Sequence, residues 1–453
     1  MLAGACKKVV TIDPPVNSIT TTQVFADSSD AASAVVGMYS SIAYRTAGIG
    51  NYLMTIYPGM SSDELLAFGS VSPLVTNTLV ARIAITDQLW TQSYDLLYKP
   101  NAIIDGLQAS ATLPQTVKNE LLGEAYWFRA FIDFYLTNLY GDIPLITTIS
   151  YKSNALAPRV PAGAVNTSIV SDLRTAQSLL PADYSEGKGE RVRVNQWAAT
   201  ALLARVHLYL DSFALAESEA TAVLNRSDLY GLDTLNGVFL ANNSEAILQW
   251  QNNSSANHNT YNATEEGSHL IPSDRTSQPL FYLTEELLNA FESGDQRKTA
   301  WLDSTVYEGV TYYYPFKYKV GPTQMHPGAP VTEYYTVLRL AEQYLIRAEA
   351  RAQQNNLGGA ISDLNMIRER AGLSDLSPGL DQQQVLAAVA QERRIELFAE
   401  WGHRWFDLKR TNTTGTVFSS IPYKSEYQPY QQLYPIPLGE LSTDPNLTQN
   451  PGY

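Results

Sequence analysis

Along much of this chain, apolar side chains return every three or four positions. Asp30 to Tyr44 carries Ala31, Ala34, Val35, Met38 and Ile42 at that spacing. Ile85 to Leu107 carries Leu89, Trp90, Tyr94, Leu97, Ile103 and Ile104, and Val117 to Leu139 carries Leu121, Leu122, Ala125, Phe128, Ile132, Tyr135 and Leu139. The period predicts three helices, each with a broad apolar face. Gly141 and Pro144 end the third.

Two later stretches resemble each other. Gln196–Asn225 and Leu340–Arg370 overlay without gaps, placing Ala204 on Ala348, Leu208 on Ala352, Phe213 on Leu357, Ala216 on Ala360, Ala220 on Leu364 and Val223 on Ile367. Each unit reads as helix, break, helix. Small residues at the crossing points let the paired helices approach closely, which is the logic of tetratricopeptide-type hairpins. Such hairpins need neighbours to bury their faces. Ile169–Leu180, ending at Pro181, is predicted as the second helix of a further pair whose first helix lies in Val117–Leu139. The units are not in tandem, so no simple solenoid is expected.

The remainder lacks helical period. Glu245–Trp250 is a short strand-like run. Asn252–Pro279 is polar and reads as structureless, with His258, Tyr261 and His269 scattered in it; a stretch of that length is functional or disordered. Trp301–Pro330 is dense in tyrosine (Tyr307, Tyr312, Tyr313, Tyr314, Tyr318) and alternates as a hairpin would. Thr413–Tyr434 is again rich in Tyr and Ser. The expected fold is mainly α: a helix-pair scaffold with an irregular, loop-rich half carrying short strands, the excursions lying near 57–82, 250–330 and 411–435.

Composition narrows the function classes. Charged residues are 17% of the 453, against about 25% in ordinary globular chains. Acids outnumber bases, 45 to 31, for a net charge of −14, which argues against a nucleic-acid partner. Tyrosine, at 28, is more than twice phenylalanine, at 13; its flat ring and polar tip suit contact with polar ligands. Cys6 is the single cysteine, so disulfides and Cys-ligated zinc clusters are excluded. The run Met1-Leu-Ala-Gly-Ala-Cys6 resembles a bacterial lipoprotein processing site, with Cys6 as the lipidated residue and Lys7–Thr22 as an extended tether.

Catalytic signatures are sparse. Glu400-x-x-His403 lies on a predicted helix that would place Glu396, Glu400, His403 and Asp407 on one face. A di-metal bundle needs a second such helix, and the other match, Glu266-x-x-His269, falls in a Gly/Ser loop. Arg393, Arg394, Arg404 and Arg410 nearby favour an ion-pair network, so neither metal nor cofactor is expected. The Gly-x-Ser-x-Gly, P-loop and dinucleotide fingerprints are absent. The stronger signal is aromatic and polar side chains in long loops. Rings cover the C–H face of a sugar while Asn, Asp, Gln and Arg bind its hydroxyls.

Several segments resemble the SusD/RagB family of outer-membrane nutrient-binding lipoproteins of Bacteroidetes. Gln391–Arg410 (QERRIELFAEWGHRWFDLKR) is similar to that family's ER-x-EL…EG-x-R-x-x-DL-x-R signature. Glu124–Phe131 with Leu139–Ile146, Leu338–Ala350, Leu364–Gly372, and the C-terminal Pro435–Leu441 with Asn446–Tyr453 agree with further family segments in the same order. Trp401 replaces an often smaller residue, and His403 sits at a variable position. The resemblance implies a single SusD-like domain over 23–453. It also implies a lipid-anchored, surface-facing outer-membrane protein that captures oligosaccharide, performs no reaction and delivers its cargo to a SusC-like TonB-dependent transporter. Arg393, Glu396, Glu400, Arg404, Asp407 and Arg410 then read as a structural ion-pair network. The family's ligand loops share no motif, so contacts are chosen by chemistry: Tyr57, Asp63, Glu64, Phe68 and Asn77; Tyr261, Arg275 and Tyr282; Trp301 and Tyr307. Peptide or other nutrient cargo, a helical-repeat adaptor and a glycosidase remain as alternatives.

Overall fold

A computed structural model describes residues 21–44, 48–69, 71–252 and 260–453. Cys6, nearly all of the expected tether and His258 lie outside the described residues. Helices occupy Ser28–Tyr44, Ala84–Ala109 and Gln115–Tyr140, where the apolar period places them. Gly141 closes the third in a left-handed turn (φ 77°), its N–H donating to the Thr137 carbonyl at 2.8 Å. The next long helix, Ala162–Leu179, begins just after Pro161. It is longer than its period suggests because its first turn (Ala, Gly, Ala) carries little apolar signal. It packs on Gln115–Tyr140, and Arg129 grips Asp172 across that contact through two hydrogen bonds of 2.7 Å.

The internal repeat is structural. Gln196–Tyr209 pairs with Phe213–Leu224, and Leu340–Gln353 with Leu357–Arg370. The breaks match as well: Asp211 (φ 53°) and Asn355 (φ 62°), equivalent positions, are both left-handed. That conformation favours short polar side chains that can bond locally. The two pairs meet through Ala204, Leu208, Ala216, Ala220, Ile346 and Ala350, all fully buried. Arg205 crosses the same contact to Glu342, two bonds of 2.6 Å, and also donates to the Tyr135 hydroxyl at 3.0 Å. The long helices from Ala84 onward therefore stack each on the next long helix, and Gln382–Glu396 closes the row.

Among the described residues six short strands form three antiparallel pairs: β1 (Leu65–Ala67), β2 (Ala246–Trp250), β3 (Phe281–Leu283), β4 (Leu302–Tyr307), β5 (Val310–Pro315) and β6 (Tyr335–Arg339), paired β1–β3, β2–β6 and β4–β5. β2 and β6 are buried at every position and join the loop-rich half to the helices.

Two expectations are corrected here. The 252–279 stretch contains a helix, Glu265–Leu270, capped by Thr264, whose hydroxyl accepts from Gly267 N–H at 2.9 Å. Glu266 and His269 are thus helical, not in a loop. The Gln391–Arg410 signature is two helices, not one. The first ends at Glu396 and the second, His403–Arg410, begins after a turn with Ala399 (φ 49°), Trp401 (φ 50°) and Gly402 (φ 72°) left-handed. A Cβ on Gly402 would stand 2.6 Å from Pro58 Cβ. Glu396, Glu400, His403 and Asp407 therefore share no single helix face.

Candidate functional site

The site begins with a turn. β4 and β5 are joined by Glu308 (φ 51°) and Gly309 (φ 81°), a two-residue link with positive φ at both positions, whose twist matches that of the strands. Its register sets Thr305 opposite Tyr312 and Tyr307 opposite Val310. Directly opposed residues share a face, so Tyr307 and Tyr312 point the same way. That face meets β1–β3. Phe68, one residue beyond β1, stands edge-on to Tyr307 and Tyr312, with centroids 5.6 and 5.5 Å away, and Tyr282 of β3 stands edge-on to Tyr312 at 5.0 Å. All four rings are half-buried, so each keeps part of its surface for a ligand. Val306 and Tyr313 lie exposed on the hairpin's other face.

Polar groups flank the rings. The Arg275 carbonyl accepts from Val306 N–H at 2.8 Å, and its guanidinium reaches Asp303 at 2.8 Å. The Arg275 side chain is 78% exposed, so most of its donors remain open. Phe68, Arg275, Tyr282 and Tyr307 of the sequence-chosen set thus converge on one aromatic face. Tyr312 and Asp303 were missed. Alternation on either side of Glu308-Gly309 was the available signal, since it aligns Tyr312 with Tyr307.

Four other choices, Asp63, Glu64, Asn77 and Trp301, are buried rather than presented on this face, which leaves their side chains no surface for a ligand. Asp63 and Glu64 are both 1% exposed. Asp63 accepts from Arg394 at 2.7 Å and from Arg404 at 2.7 and 2.9 Å. Burial works to raise its carboxyl, but Arg404 and Arg394 outweigh it and hold the group below its ordinary value. Burial, with Asp63 beside it, pushes Glu64 up to about 8. The backbone carbonyls of this pair take the N–H and hydroxyl of Thr284 at 3.0 and 2.6 Å, fixing β1 against β3. Trp301 is fully buried, its indole N–H donating to the Leu235 carbonyl at 2.7 Å. Lys317, after β5, sits over the Trp301 and Phe398 rings, pairs with Glu400 and donates to the Glu396 carbonyl at 2.9 Å. Asn77 is buried and accepts from Lys424 Nζ at 2.7 Å. Tyr57, half-buried on the helix Leu53–Ser61, and Tyr261, left-handed at φ 48°, are not among the four rings.

The signature residues occupy the base. Arg339 reaches Glu400 at 2.8 and 2.9 Å, Glu245 at 3.0 Å and Glu396 at 2.5 Å. Arg393 pairs with Asp407 at 2.8 and 3.0 Å, and Arg410 bridges Asp407 at 2.8 Å and Glu349 at 2.5 and 2.7 Å. Burial alone would raise Glu396, yet Arg370, Arg339 and Arg297 hold it far below the usual carboxylate range. Guanidinium groups fill this acidic cluster. Among the described residues no group of three or more His, Cys, Asp or Glu side chains is placed to hold a metal.

Residues 292–453 match the SusD family model, and residues 20–208 match a model described as starch-binding, associating with outer membrane. A SusD-like protein of Formosa agariphila is 24% identical over 98% of this chain and 95% of its own length. The starch-binding protein SusD of Bacteroides thetaiotaomicron is 30% identical over 29% of this chain and 24% of its own. A solved SusD superfamily protein from Bacteroides vulgatus superposes with a TM-score of 0.81 at 22% identity, covering 95% of this chain and 100% of that one. A solved laminarin-binding SusD-like protein gives 0.78 at 24% identity, over 94% and 99%. At these identities the solved structures establish the fold. The family matches at both ends of the scaffold and the signature segments at its base lead to one conclusion: the chain belongs to the SusD/RagB family.

Proposed function

We propose that this protein captures an oligosaccharide on the aromatic face of Phe68, Tyr282, Tyr307 and Tyr312. The observation that carries the reading is the convergence of four half-exposed rings beside the Arg275–Asp303 pair. A sugar's C–H face lies on the rings, Arg275 donates to its hydroxyls and Asp303 accepts from them. Binding is non-catalytic: Asp303 is ion-paired with Arg275, which suits it to hold a hydroxyl rather than to trade a proton. The starch-binding and laminarin-binding names of two relatives support the glycan class, and the family model's description supports an outer-membrane setting. In this reading residues 23–453 act as one domain, tethered through a lipid on Cys6, and pass cargo to a SusC-like TonB-dependent transporter.

The test is affinity electrophoresis in gels containing laminarin, starch or another neutral polysaccharide, with product analysis. Retardation by at least one polysaccharide, reduced on Tyr307→Ala/Tyr312→Ala and without released sugar, is expected. Binding of peptides but no polysaccharide, or hydrolysis, would overturn it.

A further inference from the structure

A cavity sharing no residue with the aromatic face lies on the helical side of the molecule. One wall is the helix Ala84–Ala109, where Trp90, Tyr94 and Tyr98 follow one another at four-residue steps and so line one face. The opposite wall is the segment 144–157. It is pinned to that helix by the Tyr94 hydroxyl donating to the Pro144 carbonyl at 2.9 Å and the Asn101 amide donating to the Ile146 carbonyl at 2.8 Å. The C-terminal stretch 438–447 forms the third wall. Leu438 N–H donates to the Ala81 carbonyl at 2.8 Å and Asn446 Nδ2 to the Leu156 carbonyl at 2.8 Å. The volume of this open-mouthed cavity is about 350 Å³, at the lower end of the range that takes small ligands.

The lining selects a chemical class. Tyr98 and Tyr151 stand at the rim with 55% and 83% of their surface exposed, an unusual display for two large rings flanking one opening. Thr91, Thr148, Asn154 and Thr443 supply uncharged polar groups. No lysine or arginine lines the cavity, so an anionic ligand would find no counter-charge. Of the two acids, Glu440 receives side-chain hydrogen bonds from Trp90 and Thr91, and Asp444 accepts from Asn446 N–H at 2.9 Å. Both carboxylates therefore already have donors.

We propose that the cavity bounded by Trp90, Tyr94, Tyr98, Tyr151, Asn154 and Glu440 is a second binding site, for a neutral polyhydroxylated ring the size of one or two sugar units. The proposal extends the glycan-capture reading but rests on a separate set of residues. Two sites on one chain convert the second contact with a long glycan into an intramolecular event, so retention of a polymer exceeds that of either site alone.

Saturation-transfer NMR on the full chain, with maltose, cellobiose and laminaribiose as probes, tests it. Transfer to at least one disaccharide is expected in the wild type and in Tyr307→Ala/Tyr312→Ala. In that Tyr307→Ala/Tyr312→Ala background it should fall roughly tenfold on adding Tyr98→Ala/Tyr151→Ala, whose exposed rings carry little of the core. Unchanged melting curves show that each variant is folded. In the Tyr307→Ala/Tyr312→Ala background, a disaccharide signal that survives the Tyr98/Tyr151 change, displacement of the signal by tetramethylammonium, or no transfer to any probe overturns the second site. If polymer retention still depends on Tyr307 and Tyr312 in that case, the aromatic face stands and only the second site is lost. If disaccharide transfer depends on Tyr98 and Tyr151 while polymer retention ignores Tyr307 and Tyr312, the reverse holds.

Discussion

Arg404 holds Asp63 through two parallel hydrogen bonds, Nε to Oδ1 at 2.7 Å and Nη2 to Oδ2 at 2.9 Å, across 341 residues of sequence. Arg394 adds a third, at 2.7 Å. Asp63 immediately precedes Glu64 and β1, so this clamp positions Phe68 at the far end of the strand. Replacing Asp63 by Asn leaves two largely buried guanidinium groups underpaired. The expected cost is about 3–5 kcal/mol, read by urea denaturation at neutral pH. The folded-state pKa of Asp63 is depressed. Its contribution is therefore present above the unfolded value of 3.8 and lost as pH falls through the lower folded value.

Glu64 carries the opposite sign. Its folded pKa is raised from 4.5 to about 8 by burial and by Asp63. Its contribution is complete below 4.5 and lost as pH rises through 8. The stability of Glu64→Gln relative to the wild type should therefore grow steadily between those two values and level off above 8. Paired denaturation curves at stepped pH measure it. A flat difference would show that Glu64 is ionised throughout.

The turn at Glu308-Gly309 sets the ring geometry. Gly309 has φ 81° and open space where a Cβ would stand, so a substitution there meets backbone strain rather than a clash. Gly309→Val should cost about 1–2 kcal/mol and displace Tyr307 from Phe68. Weaker retention on a polysaccharide gel, with little change in melting temperature, is the expected pattern.

Tyr307→Ala and Tyr312→Ala should each weaken glycan binding by about 0.5–1.5 kcal/mol, the scale of one aromatic contact. The pair should couple, because both rings touch Phe68. Calorimetry on the two single variants and the double variant gives that coupling directly.

The helix-pair contact predicts a core effect remote from any ligand. Ala220 is fully buried where the 196–224 pair meets Leu340–Gln353. Ala220→Leu overpacks that crossing and should cost about 1–3 kcal/mol, seen in denaturant midpoints, while leaving glycan retention per folded molecule unchanged.

The helices were legible because their apolar period is strong, and the matched alanines announced the paired units before any coordinates. The hairpin was legible from alternation. What escaped was governed by distant partners or by unusual backbone. Asp63 and Glu64 look like loop acids offered to a ligand until Arg394 and Arg404, over 330 residues away in the chain, are brought to them. Trp301 looks like a sugar platform until its indole finds the Leu235 carbonyl. The break in the signature segment depends on Ala399 and Trp401 being left-handed, a conformation that neither residue type advertises. Tyr312 escaped because it was counted within a tyrosine-rich stretch and not placed by its register opposite Thr305.

The span between Asp63 and Arg404 also sets an order of events in synthesis. A chain emerges from its N-terminus, at about 5–20 residues per second, so the strand before Phe68 waits for Arg394 and Arg404, 331 and 341 residues after Asp63, before it is clamped. A chain ended before Arg394 would have most of its helices, its hairpin and the Thr284 bonds at β1, but not the guanidinium clamp on Asp63. Full support of the ring cluster is thereby reserved for a molecule that has added the segment carrying Arg394 and Arg404.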